Sequence, residues 1–152
     1  MTADLLGFRK LQRNVLYANN TRGKFESMLL DAAEQLMLSL SKAAQDLILF
    51  SLPEFGYFTL PKELCSGSSI MPQKRNPDML ELIRGKSATL SGYAQQIKQV
   101  IRSLPSGYNR DFQETKEPFL RGVRLTFRSL KVMSLTVSKL QVNRAVLAAA
   151  MP

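Results

Sequence analysis

The sequence predicts an all-α fold, a bundle of long helices. Two observations carry this. Apolar residues recur at three- and four-residue steps over three long stretches, and the prolines, glycines and serines that break structure concentrate in the loops between them. Each stretch approaches about 30 residues, far above the average helix of about 11. A rod of that size is about 45 Å long. Three such rods do not close a globular core well, so more helices are expected, from further sequence or from other copies of the chain.

The first helix is expected from about Thr21 to Phe50. Phe25, Met28, Leu29, Ala32, Ala33, Leu36, Met37, Leu40, Ala43, Ala44, Leu47 and Ile48 form its apolar face, and Asn20 or Thr21 is its candidate cap. Ser51–Pro77 reads as loop, with Pro53, Gly56, Pro61, Gly67, Pro72 and Pro77. A loop of this length inside a domain is more often functional than idle. The second helix is expected to start at Asn76-Pro77, with Asn76 as cap and Pro77 in the first helical position. Asp78 and Glu81 then suit the positive end of its dipole. It should reach about Leu104 and stop at Pro105. Ser106–Gln113 forms a second loop. A third helix, from about Glu114 to Ala149, carries an apolar stripe of Phe119, Val123, Phe127, Leu130, Val137 and Leu140.

Composition narrows the function classes. The chain has 152 residues, 45% hydrophobic and 22% charged, an ordinary globular balance. No apolar run reaches the roughly 20 residues that span a bilayer. The stretch MTADLLGFRK lacks the basic-then-apolar order of a signal peptide. The single Cys65 agrees with a reducing compartment, so a cytoplasmic location is expected. With no histidine and one thiol, no Cys/His metal site is expected. The net charge of +9 comes from bases scattered through helical segments rather than clustered. They do not interleave with aromatics as on a strand-stacking surface, so no nucleic-acid partner is expected.

The segment Gly67-Ser68-Ser69-Ile70-Met71-Pro72-Gln73-Lys74-Arg75-Asn76-Pro77 is the most informative. Gly67 and two small hydroxyl residues allow an arm that closes over a ligand. Lys74 supplies a fixed positive charge, and Asn76 with the free N–H groups of the following helix start favours an anion. A serine, a lysine and a helix N-terminus converging on a carboxylate suit acid–base work beside a carbanion. By composition alone this is an ordinary surface loop. The order of residues is what distinguishes it.

That order resembles the signature of the fumarase/aspartase superfamily, GSS-x-MP-x-K-x-NP, with all eight specified positions met. A second segment, Tyr108-Asn109-Arg110-Asp111-Phe112-Gln113-Glu114-Thr115-Lys116-Glu117, resembles the YN-(K/R)-D-x-QEDKE segment of the argininosuccinate lyase family. Leu5-Leu6-Gly7-Phe8, Pro53-Glu54-Phe55-Gly56 and Leu80–Lys86 also fit that family.

The resemblance implies a cofactor-free lyase that splits argininosuccinate into arginine and fumarate by β-elimination, in a homotetramer whose sites each draw on three subunits. Ser68 would act in proton transfer, as base or as donor; the sequence leaves the direction open. Lys74 would stabilise the alkoxide and the carbanion, and Glu81 matches the acid that partners the family's catalytic histidine. Asn76, Tyr108, Gln113 and Lys116 would hold the substrate, because an amide, a phenol and an ammonium suit carboxylate oxygens.

Three departures stand out: Thr115 where the family has Asp, Cys65-Ser66 before the signature glycine, and Thr21 before Arg22 where Asp is usual. The family's Ser-Arg-Asn and His-Thr-His runs are missing from this sequence. Residues 1–152 are therefore expected to be part of a central helical domain, with the signature loop at 65–77, lacking N- and C-terminal domains and unable to turn over alone. Two other readings stay open: a helical assembly module without catalysis, and a lyase of the same superfamily acting on another succinyl compound.

Overall fold

The computed structural model describes residues 2–67, 70–71 and 75–150. It is an all-α bundle built on three long helices, α3 (Lys24–Phe50), α4 (Asp78–Arg102) and α5 (Lys116–Lys139), with short helices α1 (Thr2–Leu5), α2 (Val15–Asn20) and α6 (Arg144–Ala150). Two small ladders lie beside the bundle. β1 (Phe58–Thr59) pairs antiparallel with β4 (Gln141–Val142), and β2 (Ser66–Gly67) pairs antiparallel with β3 (Arg75–Asn76). No helix among the described residues is long and apolar enough to cross a membrane.

The core lies between α3, α4 and α5. One cluster joins Leu30, Met37, Leu90, Ala94 and Ile97; the other joins Ala44, Leu60, Leu80, Ile83 and Met133. Polar links run along the α3–α4 seam: Ser91 donates to Glu34, Arg84 donates to Gln45, and Lys98 pairs with Asp31 at 2.5 Å. The inward face of α5 is made mostly of small residues, including Pro118, Gly122, Thr126 and Ser129, with Met133 its one large buried side chain. A Cβ added at Gly122 would lie 2.8 Å from Leu30 Cδ2 and 3.0 Å from Leu90 Cδ1, so the missing side chain is what lets the helices approach. The buried hydroxyls of α5 are satisfied within the helix. Thr126 Oγ1 donates to the Gly122 carbonyl at 2.9 Å, and Thr136 Oγ1 donates to that of Val132 at 2.9 Å.

The expected helices exist, with three corrections. First, α3 begins at Lys24, not Thr21. Gly23 is its left-handed N-cap at φ 79°, and Thr21 closes α2 instead. Asn20 caps nothing; its side chain reaches across to residues 106–107. Second, Asn76 does not cap α4. It is held in β3 opposite Ser66, and Pro77 takes the cap position. Third, the stretch from Glu114 to Ala149 is not one helix. It opens as a 3-10 turn over Arg110–Thr115 and breaks after Lys139. The break follows from pairing. Gln141–Val142 join β1, and the Asn143 N–H donates to the Tyr57 carbonyl at 2.9 Å, bonds that a continuing helix would forfeit.

The expected apolar faces hold in part: Met37 and Ala44 are buried, and Ala33, Leu40, Leu47, Ile48, Phe119 and Leu140 pack against the core. In α3 the fully buried side chains are Leu30, Met37 and Ala44, spaced seven apart, whereas Phe25, Met28, Leu29 and Leu36 are exposed. In α5 Val123, Phe127 and Val137 are exposed. Both helices carry apolar residues on two faces, and one chain covers only one of them.

Candidate functional site

The residues singled out by the sequence fall into two groups at opposite ends of α4. At its start, the β2–β3 ladder sets Gly67 opposite Arg75 and Ser66 opposite Asn76. This ladder draws together the two ends of the signature segment. Ser68 and Lys74 themselves lie outside the described residues. Asn76 is half-buried and Glu81 is exposed in the first turn of α4. Both line a cavity of about 620 Å³, together with Ser51, Leu60, Cys65 and Arg75. Burial pushes the Cys65 thiol above its ordinary range; the nearby Arg75 charge opposes this and Asp78 adds to it.

At the other end of α4, the chain turns through Gly107, at φ 102°, into the 3-10 turn Arg110–Thr115. Tyr108 is 64% exposed, and Gln113 and Lys116 are exposed. Phe112 and Thr115 are buried and anchor the turn. Thr115, where the resembled family has an acid, donates its hydroxyl to the Phe112 carbonyl at 2.8 Å and is only 2% exposed. Threonine meets that need locally, whereas a carboxylate there would be desolvated. Above the turn, the Arg22 guanidinium lies 5.3 Å from the Tyr108 ring centre and 5.4 Å from that of Phe112. Asn20, Arg22, Lys24, Arg102 and Ser106 border a cavity of about 300 Å³ here.

The 25 residues of α4 separate the groups by about 37 Å. One chain thus sets Asn76 and Glu81 on one cavity and carries Tyr108, Gln113 and Lys116 past the other end of α4, but does not bring the two groups to one place. Sequence reasoning missed Arg22 as a neighbour of Tyr108, because no local pattern links positions so far apart in the chain. A further cleft of about 610 Å³ lies within the N-terminal segment around Phe8–Arg13 and holds none of these residues.

The site region is thus an all-α bundle with a loop-and-ladder at the start of α4 and a 3-10 turn past its other end. Residues 4–92 match the family model described as lyase, and the chain belongs to that family. Its long-helix bundle corresponds to the central helical domain of the fumarase/aspartase superfamily. The chain is 41% identical, over 143 residues, to the argininosuccinate lyase of Thermotoga neapolitana, covering 94% of this chain and 36% of that protein. It is 44% identical over 140 residues to the argininosuccinate lyase of Xylella fastidiosa, covering 92% of this chain and 31% of that protein. Among solved structures, an EDDS lyase in complex with formate superposes with a TM-score of 0.84 at 26% identity, covering 95% of this chain and 28% of that one. The chain spans about a third of the length of the curated relatives it matches.

Proposed function

We propose that this chain carries two substrate-contact regions of an argininosuccinate lyase, the enzyme that splits argininosuccinate into arginine and fumarate without a cofactor. The observation that supports it most is the Tyr108–Lys116 segment, set within a region 41% identical to a protein of that name. In this reading Ser68 takes the proton from the succinyl carbon beside a carboxylate. The carbon–nitrogen bond then breaks, its electrons leave with the guanidinium nitrogen, and the carbon–carbon double bond of fumarate forms. Serine is a weak base unless its alkoxide is stabilised, the role given to Lys74 and the start of α4. Asn76, Tyr108, Gln113 and Lys116 hold carboxylates, and Glu81 orients a histidine supplied from outside this chain.

The separation of the two groups supports a shared site. Argininosuccinate is far shorter than α4, so both groups reach one molecule only when the helices of different copies lie side by side. The exposed Phe25, Met28, Leu29, Val123 and Phe127 are the apolar faces that such copies would cover. A homotetramer acting in arginine biosynthesis in the cytoplasm is the assembled form of this reading. The test follows fumarate absorbance after argininosuccinate is added. We expect no turnover by the chain alone, and turnover once the histidine-bearing segment is joined to it. Ser68→Ala should then lower kcat by about 10²–10⁴, the usual span for a lost proton-transfer group. Turnover by the chain alone would overturn the shared site, and full activity of Ser68→Ala would overturn the role given to Ser68. A defined oligomer with no turnover after restoration would favour an assembly module.

A further inference from the structure

The Asn20 side chain makes two bonds to a loop far away in sequence. Its Oδ1 accepts the Gly107 N–H at 2.9 Å, and its Nδ2 donates to Ser106 Oγ at 3.3 Å. The loop needs such a hold. Gly107 stands at φ 102°, where glycine is freest, and Tyr108 follows with 64% of its surface open. Within the loop, Asn109 Nδ2 donates to the Pro105 carbonyl at 2.8 Å, which shapes the turn without fixing it to the bundle. The platform that does so is closely packed. Gly23 sits in the left-handed region against Ile101, so the Asn20–Gly23 turn has little room to shift. From the same turn, Arg22 stacks over Tyr108 and over the buried Phe112.

We propose that Asn20 is a positioning residue, which ties Gly107 and Ser106 to the end of α2 and so holds Tyr108 beneath Arg22 in the orientation that meets substrate. This rests on the reading that Tyr108 contacts argininosuccinate. A contact made equally to substrate and transition state changes KM and leaves kcat in place. Preorganising such a contact saves the entropy of ordering a glycine-hinged loop at each binding event.

The test uses the chain joined to the histidine-bearing segment, the form in which turnover is expected, with Asn20→Ala and Asn20→Asp. Alanine removes both bonds. Aspartate keeps the acceptor for the Gly107 N–H and loses only the donor to Ser106. We expect Asn20→Ala to raise KM for argininosuccinate roughly five- to tenfold, the scale of one or two lost hydrogen bonds. Its kcat should stay within about twofold, and Asn20→Asp should recover most of the loss. Amide exchange at Gly107 and Tyr108 should quicken in the alanine variant and return towards wild type in the aspartate variant, with helix content unchanged. An unchanged KM in Asn20→Ala would overturn the proposal. So would a fall in kcat and helix content that aspartate does not rescue, since that marks a structural role. If the wild-type protein cleaves no argininosuccinate, the functional reading fails by itself. Exchange then decides whether Asn20 holds the loop: quickening at both amides supports the clamp, and no change overturns it.

Discussion

The two ends of α4 present their polar residues by different means. At the start, a backbone ladder does the positioning: Ser66 and Gly67 pair with Asn76 and Arg75. At the far end there is no ladder. A glycine-hinged turn is held by side chains from the α2–α3 junction, Asn20 by hydrogen bonds and Arg22 by stacking. Backbone pairing tolerates a change of side chain, whereas side-chain clamps do not. Substitution should therefore move the far end alone more readily than the near end alone, and both should move together only when the shared core fails.

The shared core gives the largest effect. Leu90 is fully buried between Leu30 and Gly122. Leu90→Ala should cost about 2–5 kcal/mol in chemical denaturation, as a cavity in a packed core does. Protection from amide exchange should fall at both ends of α4; protection lost at one end only would show that the ends are not coupled through this core. Gly23→Ala should cost about 1–3 kcal/mol, because alanine is strained at positive φ and its Cβ would lie 2.5 Å from Ile101 Cγ2. Its effect should centre on Tyr108 and Phe112 and leave the β2–β3 ladder protected.

Arg22→Met should be milder still, about 0.5–1 kcal/mol for a half-exposed cation–π contact, read from the tyrosine fluorescence and the denaturation midpoint. The smallest effect belongs to the near end. The Cys65 thiol is raised, so less thiolate is present near pH 8 and alkylation should run slower than for a free cysteine. The sign for stability follows. The folded state keeps its thiol proton to higher pH than the unfolded state, so this contribution is complete below the ordinary thiol range. It is lost as pH rises through the raised value. Alkylation as fast as the free thiol would mean that Cys65 is not shielded beside the ladder.

The sequence conveyed the helices and the two loops, because three- and four-residue periodicity and proline punctuation are local signals. Helix ends were less legible. Asn76 has the chemistry of a cap, but a partner strand ten residues earlier claims its backbone. Asn20 also looks like a cap, but its partners lie at 106–107. The break near Leu140 is invisible locally because what halts the helix is β1, more than half the chain away. The exposed members of the expected apolar faces have another cause. Periodicity marks every apolar position, and in α3 these occupy two sides; only packing decides that Leu30, Met37 and Ala44 are the side this chain covers. At the candidate site, the motifs name residue types and order, while the distance between the two groups is a property of α4's length.

The pairing of β1 with β4 joins Phe58–Thr59 to Gln141–Val142 and closes a loop that contains both α4 and α5. It brings only two residues from each strand into register, so its few bonds cannot offset the entropy of that closure until the helices have packed. This ladder should therefore form late in folding, after the α3–α4 seam, and reopen early. In native-state exchange the Val142 and Asn143 amides would report a local opening near the low end of the stability range, well before Leu90 is exposed.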